Sequence, residues 1–159
     1  MRWLLITLLL GLVGCAPGAS HAERIQHLEG LFPTLASLEV RAYRNQDWCR
    51  NLAYHRGNFS QSTHPSTCNL FTGPVGPFDP QAQTDFDQIT TALGGDRPRV
   101  LWLNLDYQDG KICLAEFALD RAASRESYLY SLEMPEDVGH EIIHKALGGH
   151  WYLRLEDWN

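Results

Sequence analysis

The stretch V-L-W-L-N-L-D-Y-Q-D-G-K-I-C-L-A-E-F-A-L-D, residues 100–120, constrains the fold more than any other part of the chain. Two alternating apolar runs flank Asp109-Gly110, and glycine there supplies the left-handed backbone that a tight β-turn requires, so the stretch predicts a hairpin. With Gln108, Asp109 and Gly110 as the loop, Tyr107 pairs with Lys111 and Leu105 faces Cys113. Leu103 then opposes Ala115 and Leu101 opposes Phe117, giving one continuous apolar face that a one-residue slip would destroy. In this register Cys113 points into the core as a small hydrophobe; a nucleophilic role would need exposure and a partner histidine. Trp102 and Glu116 face the other way.

The elements around the hairpin follow from the same signals. Ser20 and Glu23 have capping-box spacing, and Ile25, Leu28 and Leu31 recur at helical intervals, so a short helix is expected before Pro33. Alternation of Leu38, Val40 and Ala42 against Glu39, Arg41 and Tyr43 suits a half-buried strand, although a helical period also fits Leu35, Leu38, Ala42 and Cys49. Asp79 and Pro80 open a second helix with the stripe Ala82, Phe86, Ile89 and Leu93, closed by Gly94 and Gly95. Before it, T-G-P-V-G-P-F-D-P reads as turns without regular structure. Tyr128, Tyr130 and Leu132 predict a further strand, and Trp151, Leu153 and Leu155 a last one. Between these two, Pro135-Glu136-Asp137 reads as the start of a third helix that ends at Gly148. The expected fold is α+β: an antiparallel sheet of four or five strands with helices packed on one face.

The N-terminal M-R-W-L-L-I-T-L-L-L-G-L-V-G-C has one arginine before an apolar run too short to span a bilayer, which marks an export signal. Its end, Leu12-Val13-Gly14-Cys15, resembles the lipobox of bacterial lipoprotein precursors. That resemblance implies cleavage before Cys15, lipid on its sulfur and amino group, and anchoring at the envelope facing the periplasm, with Ala16 in place of the aspartate associated with inner-membrane retention. Several acyl chains, each contributing about 0.8 kcal/mol per buried CH₂, give stable anchoring. The chain thus divides into a signal at 1–14, a lipidated tether at 15–19 and a single domain at 20–159. Asn58-Phe59-Ser60 has the form of a glycosylation sequon, without meaning in a bacterial source.

Of the four cysteines, Cys49, Cys68 and Cys113 remain after the tether. In an exported protein two of them pair. Cys49 and Cys68 bracket a polar stretch with few apolar residues to hold it down, where closing the loop stabilises by roughly 3 kcal/mol, and are the expected disulfide. The formal net charge of −6 and the absence of basic clusters exclude a nucleic-acid surface.

One motif carries chemistry. In V-G-H-E-I-I-H-K-A-L-G-G-H, residues 138–150, a helix would bring His140 and His144 to one side with Glu141 between them. The pattern resembles the zincin metallopeptidases, and His150 falls where the metzincin branch places a third ligand. The resemblance implies zinc on His140, His144 and His150, with Glu141 as general base. Leu147 stands where that branch has glycine, and no methionine follows Met134. His27, His55 and His64 lie in polar surroundings and read as solvated. Away from the motif, Trp102, Tyr152, Arg154 and Trp158 form a candidate exposed face for a partner or glycan, with a covering second layer as the alternative. Two functions therefore stand: a non-enzymatic, lipid-anchored envelope protein without cofactor that binds an envelope protein or small ligand, and, as the alternative, a zinc-dependent peptidase.

Overall fold

A computed structural model of the chain describes residues 20–63, 68, 71, 73–94, 100–119 and 126–157. The signal, the tether and Cys15 lie outside the described residues, as do His64 and Trp158.

The sheet has nine strands: β1 (Ala42–Gln46), β2 (Cys49–Tyr54), β3 (Gly57–Ser62), β4 (Val75–Gly76), β5 (Val100–Gln108), β6 (Lys111–Leu119), β7 (Glu126–Ser131), β8 (Ile142–Gly148) and β9 (Trp151–Glu156). Their spatial order is β4-β3-β2-β1-β5-β6-β7-β9-β8. The pairing is mixed, because β4 runs parallel to β3 while the other neighbours are antiparallel. This corrects the expected antiparallel sheet of four or five strands. The additional strands come from segments whose sequences disguise them: the polar stretch after Cys49 folds as the β2–β3 hairpin, the proline-rich run contributes β4, and the third expected helix is β8.

Helix α1 (His21–Ser37) begins as its sequence predicts. The Ser20 hydroxyl accepts from the Glu23 amide, and the Glu23 carboxylate accepts from the Ser20 amide at 2.7 Å. The helix does not stop before Pro33, however, but runs through it. Proline costs one helical hydrogen bond. Leu31 and Leu35 flank it on the buried stripe and hold the chain helical across that gap. Helix α2 (Pro80–Ala92) carries the expected cap, with Asp79 accepting from the Ala82 amide at 2.7 Å, and buries the expected Ala82, Phe86 and Ile89.

The core forms where both helices meet one face of the sheet. One row in register across five strands reads Tyr43, Leu103, Phe117, Tyr128 and Leu153, all buried. Tyr43 stacks on Phe86 of α2, and Phe117 stacks on Phe32 of α1. The next row, Leu105, Ala115, Tyr130 and Trp151, continues the contact with Phe32 through Tyr130 and Trp151.

The central hairpin forms in a different register from the one expected. Asp109 and Gly110, at φ 51° and 73°, make a two-residue turn, and Gln108 pairs with Lys111. A β-bulge at Cys113 then shifts the pairing, so that Leu105 opposes Ala115 and Leu103 opposes Phe117. The apolar face is preserved, but Ile112 takes the core position and Cys113 is left half-buried. Its place is a cavity of about 230 Å³ that Asp106, Ser131 and Glu133 also line.

Tyr107 ties the hairpin to the end of α1. Its hydroxyl donates towards the Val40 carbonyl at 2.8 Å and the Leu35 carbonyl at 3.2 Å. Burial, assisted by the Glu39 carboxylate, pushes its pKa from 10.0 up to about 12. A raised pKa means that stability is fully present below the unfolded value near 10 and is lost as pH rises towards 12. Tyr107→Phe should cost about 1 kcal/mol at neutral pH and flatten this alkaline decline, as denaturant titrations at neutral and alkaline pH would show.

Candidate functional site

The histidine motif is not on a helix. His140 and Glu141 are exposed in the turn before β8, His144 is half-buried within β8, and His150 is exposed in the turn between β8 and β9. The i, i+4 spacing that would stack two imidazoles on a helix places them differently when the chain is extended. From His144 to Gly148, where the β8–β9 turn begins, the strand advances roughly 13 Å, which carries His150 to the opposite end of β8. Glu141, His144 and His150 instead make separate local contacts. The Asp137 carboxylate accepts from the His144 amide at 2.8 Å and lies 3.2 Å from His144 Nδ1. The Glu141 carbonyl accepts from the Asp157 amide at 2.7 Å, and the His150 ring meets Tyr130 edge-on. Among the described residues no three His, Cys, Asp or Glu side chains are grouped as a metal site.

The other candidates lie on the sheet face opposite the helices. A row in register across six strands reads Arg44, Trp102, Ala118, Ser127, Arg154 and His144. The adjacent row reads Ala42, Asn104, Glu116, Leu129, Tyr152 and Ala146. Trp102, Tyr152 and Arg154 are all half-exposed here, as their alternation with core residues predicts. They do not form one cluster. Trp102 on β5 and Arg154 on β9 are separated by β6 and β7, roughly 14 Å in strand spacings.

The two ends of this face differ in electrostatics. At the β9 end, Glu116 accepts from Arg154 at 2.8 Å and from the Ser127 hydroxyl at 2.6 Å, and Arg154 also pairs with Glu156. This cation is neutralised within the fold. At the β1 end Arg44 sits beside Trp102 and opposite Asn51 of β2, and burial lowers the pKa of its guanidinium below the ordinary value.

The disulfide positions that end. Cys49 and Cys68 are bonded, as their spacing predicts, and both are fully buried. Buried Asn51 donates to the Cys68 carbonyl at 2.6 Å and accepts from the Ser60 hydroxyl at 2.7 Å, so Cys68 is held on this face. Phe71, three residues on, lines a cavity of about 50 Å³ together with Arg44, Asn51, Trp102 and Asn104.

Alternation from Leu38 assigns Ala42 to the core side and Tyr43 to solvent, which hides Arg44. Glu39, with φ 48°, breaks the extended path, and β1 starts only at Ala42 with Tyr43 buried. The signal that could have found Arg44 is the volume of Tyr43 itself, since a buried tyrosine puts Arg44 on the opposite face.

Compared with protein-family models, curated proteins and solved structures, the chain has no significant match.

Proposed function

We propose that the chain is a non-enzymatic protein of the bacterial envelope, anchored by lipid on Cys15 and facing the periplasm, and that it binds an envelope protein or a small ligand on the sheet face opposite its helices. The lipobox-like Leu12-Val13-Gly14-Cys15 supports the anchor. The Cys49–Cys68 bond supports an oxidising compartment, where such bonds persist. The observation that carries the binding role is the half-exposed Trp102 beside Arg44 on a face to which neither described helix packs. Aromatic and arginine side chains supply most of the energy of binding surfaces.

The test joins localisation to recognition. Mass spectrometry of the membrane-extracted protein should show an acylated N-terminal Cys15, and capture from solubilised membranes should lose its specific partners in Trp102→Ala but not in His144→Ala. An unacylated Cys15 would overturn the anchor. Recovery of the same partners by Trp102→Ala would remove this face from the partner-binding role.

A further inference from the structure

Among the described arginines within the strands and their turns Arg44 stands apart; Arg41, just before β1, also lacks an ion pair but is exposed. Arg154 pairs with two carboxylates, Arg56 with Asp79, and Arg50 lies 3.7 Å from Asp87 with its guanidinium over the Phe86 ring at 4.5 Å. Arg44 has no carboxylate, carbonyl or aromatic partner among the described residues, although it is half-buried. A guanidinium keeps its charge at any physiological pH and presents its donors in a fixed fork. Partly desolvating that charge without a partner costs stability. A bound anion would recover the cost.

The surroundings limit what that anion can be. A cavity of about 50 Å³ is several times the roughly 10–15 Å³ that one water needs on the same measure, so it admits a polar group of a few atoms. Among the described residues no second cation lines it, and one guanidinium balances one negative charge. Asn51 is committed to Cys68 and Ser60, which leaves Asn104, exposed and without a side-chain partner among the described residues, as the second donor. Trp102 and Phe71 supply apolar walls for the part of a ligand that continues beyond the cavity.

We propose that Arg44 binds the carboxylate of a small organic acid, its fork taking both oxygens while Asn104 donates to one of them and Trp102 and Phe71 flank the carbon body. The proposal rests on taking the sheet face opposite the helices as the binding face. It narrows the ligand of that face to a singly charged planar anion.

The experiment uses the full chain in detergent, labelled with ¹⁵N, with benzoate as the probe and the Trp102 indole N–H as the reporter, assigned through Trp102→Phe. Benzoate should shift this resonance saturably. Arg44→Gln should weaken the binding by roughly tenfold or more, the worth of a charge-assisted hydrogen bond. Arg154→Gln, whose cation the fold already neutralises, should bind as the unaltered protein does. Benzyl alcohol should give no saturable shift and inorganic phosphate a weaker one than benzoate.

Equal benzoate affinity in a folded Arg44→Gln, checked by an unchanged amide spectrum elsewhere, would overturn the assignment. Tighter binding of phosphate, or saturation by benzyl alcohol, would overturn it as well. The wider reading fails separately. Partner capture lost in Trp102→Ala without any benzoate shift keeps the face and sinks the carboxylate, whereas a benzoate shift with unchanged capture keeps the carboxylate and sinks the protein partner.

Discussion

Replacing Trp151 by Ala should destabilise the protein by about 4 kcal/mol, at the upper end for a single buried side chain. Trp151 opens β9, is 2% exposed, and brings three elements together. Its ring packs against Phe32 of α1 at 6.0 Å, Phe117 of β6 at 6.1 Å and Tyr130 of β7 at 5.5 Å. Its indole N–H donates to the Glu29 carboxylate at 2.8 Å. Alanine would remove the apolar contact, leave a cavity under α1 and release that helix from the sheet. Trp151→Phe keeps most of the packing, and Glu29 is exposed enough to turn to water, so this variant should lose only about 1 kcal/mol beyond the smaller area. Urea unfolding with an unchanged denaturant slope measures both. An alanine variant within 1 kcal/mol of the unaltered protein would show that α1 does not depend on this stack.

Breaking the Cys49–Cys68 bond should cost about 3 kcal/mol, the loop-closure value for a bridge whose cysteines are 19 residues apart. For a domain of this size that lowers the melting temperature by roughly 10 °C. Reductant should show this loss, and the Cys49→Ala/Cys68→Ala double variant a somewhat larger one. Both cysteines are fully buried, so the double variant also loses their packing. A functional loss should accompany the structural one. Phe71 reaches the Arg44 cavity from the chain just beyond Cys68, and Asn51 holds the Cys68 carbonyl. Reduced protein should therefore bind benzoate more weakly even at temperatures where it remains folded. An unchanged melt after complete reduction would show that the β2–β3 hairpin and Asn51 hold this segment without the covalent link.

Several elements were legible because their signals are local. The Asp79-Pro80 cap with its stripe at Ala82, Phe86 and Ile89 needs only the next helical turns to be recognised. The Asp109-Gly110 turn needs only two residues with positive φ. Its consequence was less legible: whether two or three residues form the loop, and whether a bulge follows, depends on which side chains the opposing core accepts. The bulge at Cys113 lets Ile112 fill a core position that the uninterrupted register would have given to a smaller thiol. At the candidate site, Trp102, Tyr152 and Arg154 were legible from alternation. Arg44 was not, because the backbone break at Glu39 resets the alternation before β1.

The sequence by itself determined the caps, the position of the central turn, the pairing of Cys49 with Cys68 and the segments rich enough in apolar residues to enter the core. These depend on groups close along the chain or on the chemistry of a residue type. Only the tertiary structure decided the fate of residues 138–150. Val138, Ile142, Ile143 and Leu147 suit one face of a helix, yet a lone helix of this length is marginal in water. Strand β9 offers the same residues a full ladder, and Gly148 and Gly149, at φ 116° and 57°, turn the chain into it. Backbone hydrogen bonds to a neighbouring strand are not written in the spacing of apolar residues, so a pattern of helical period became the edge of a nine-stranded sheet, and the three histidines came apart.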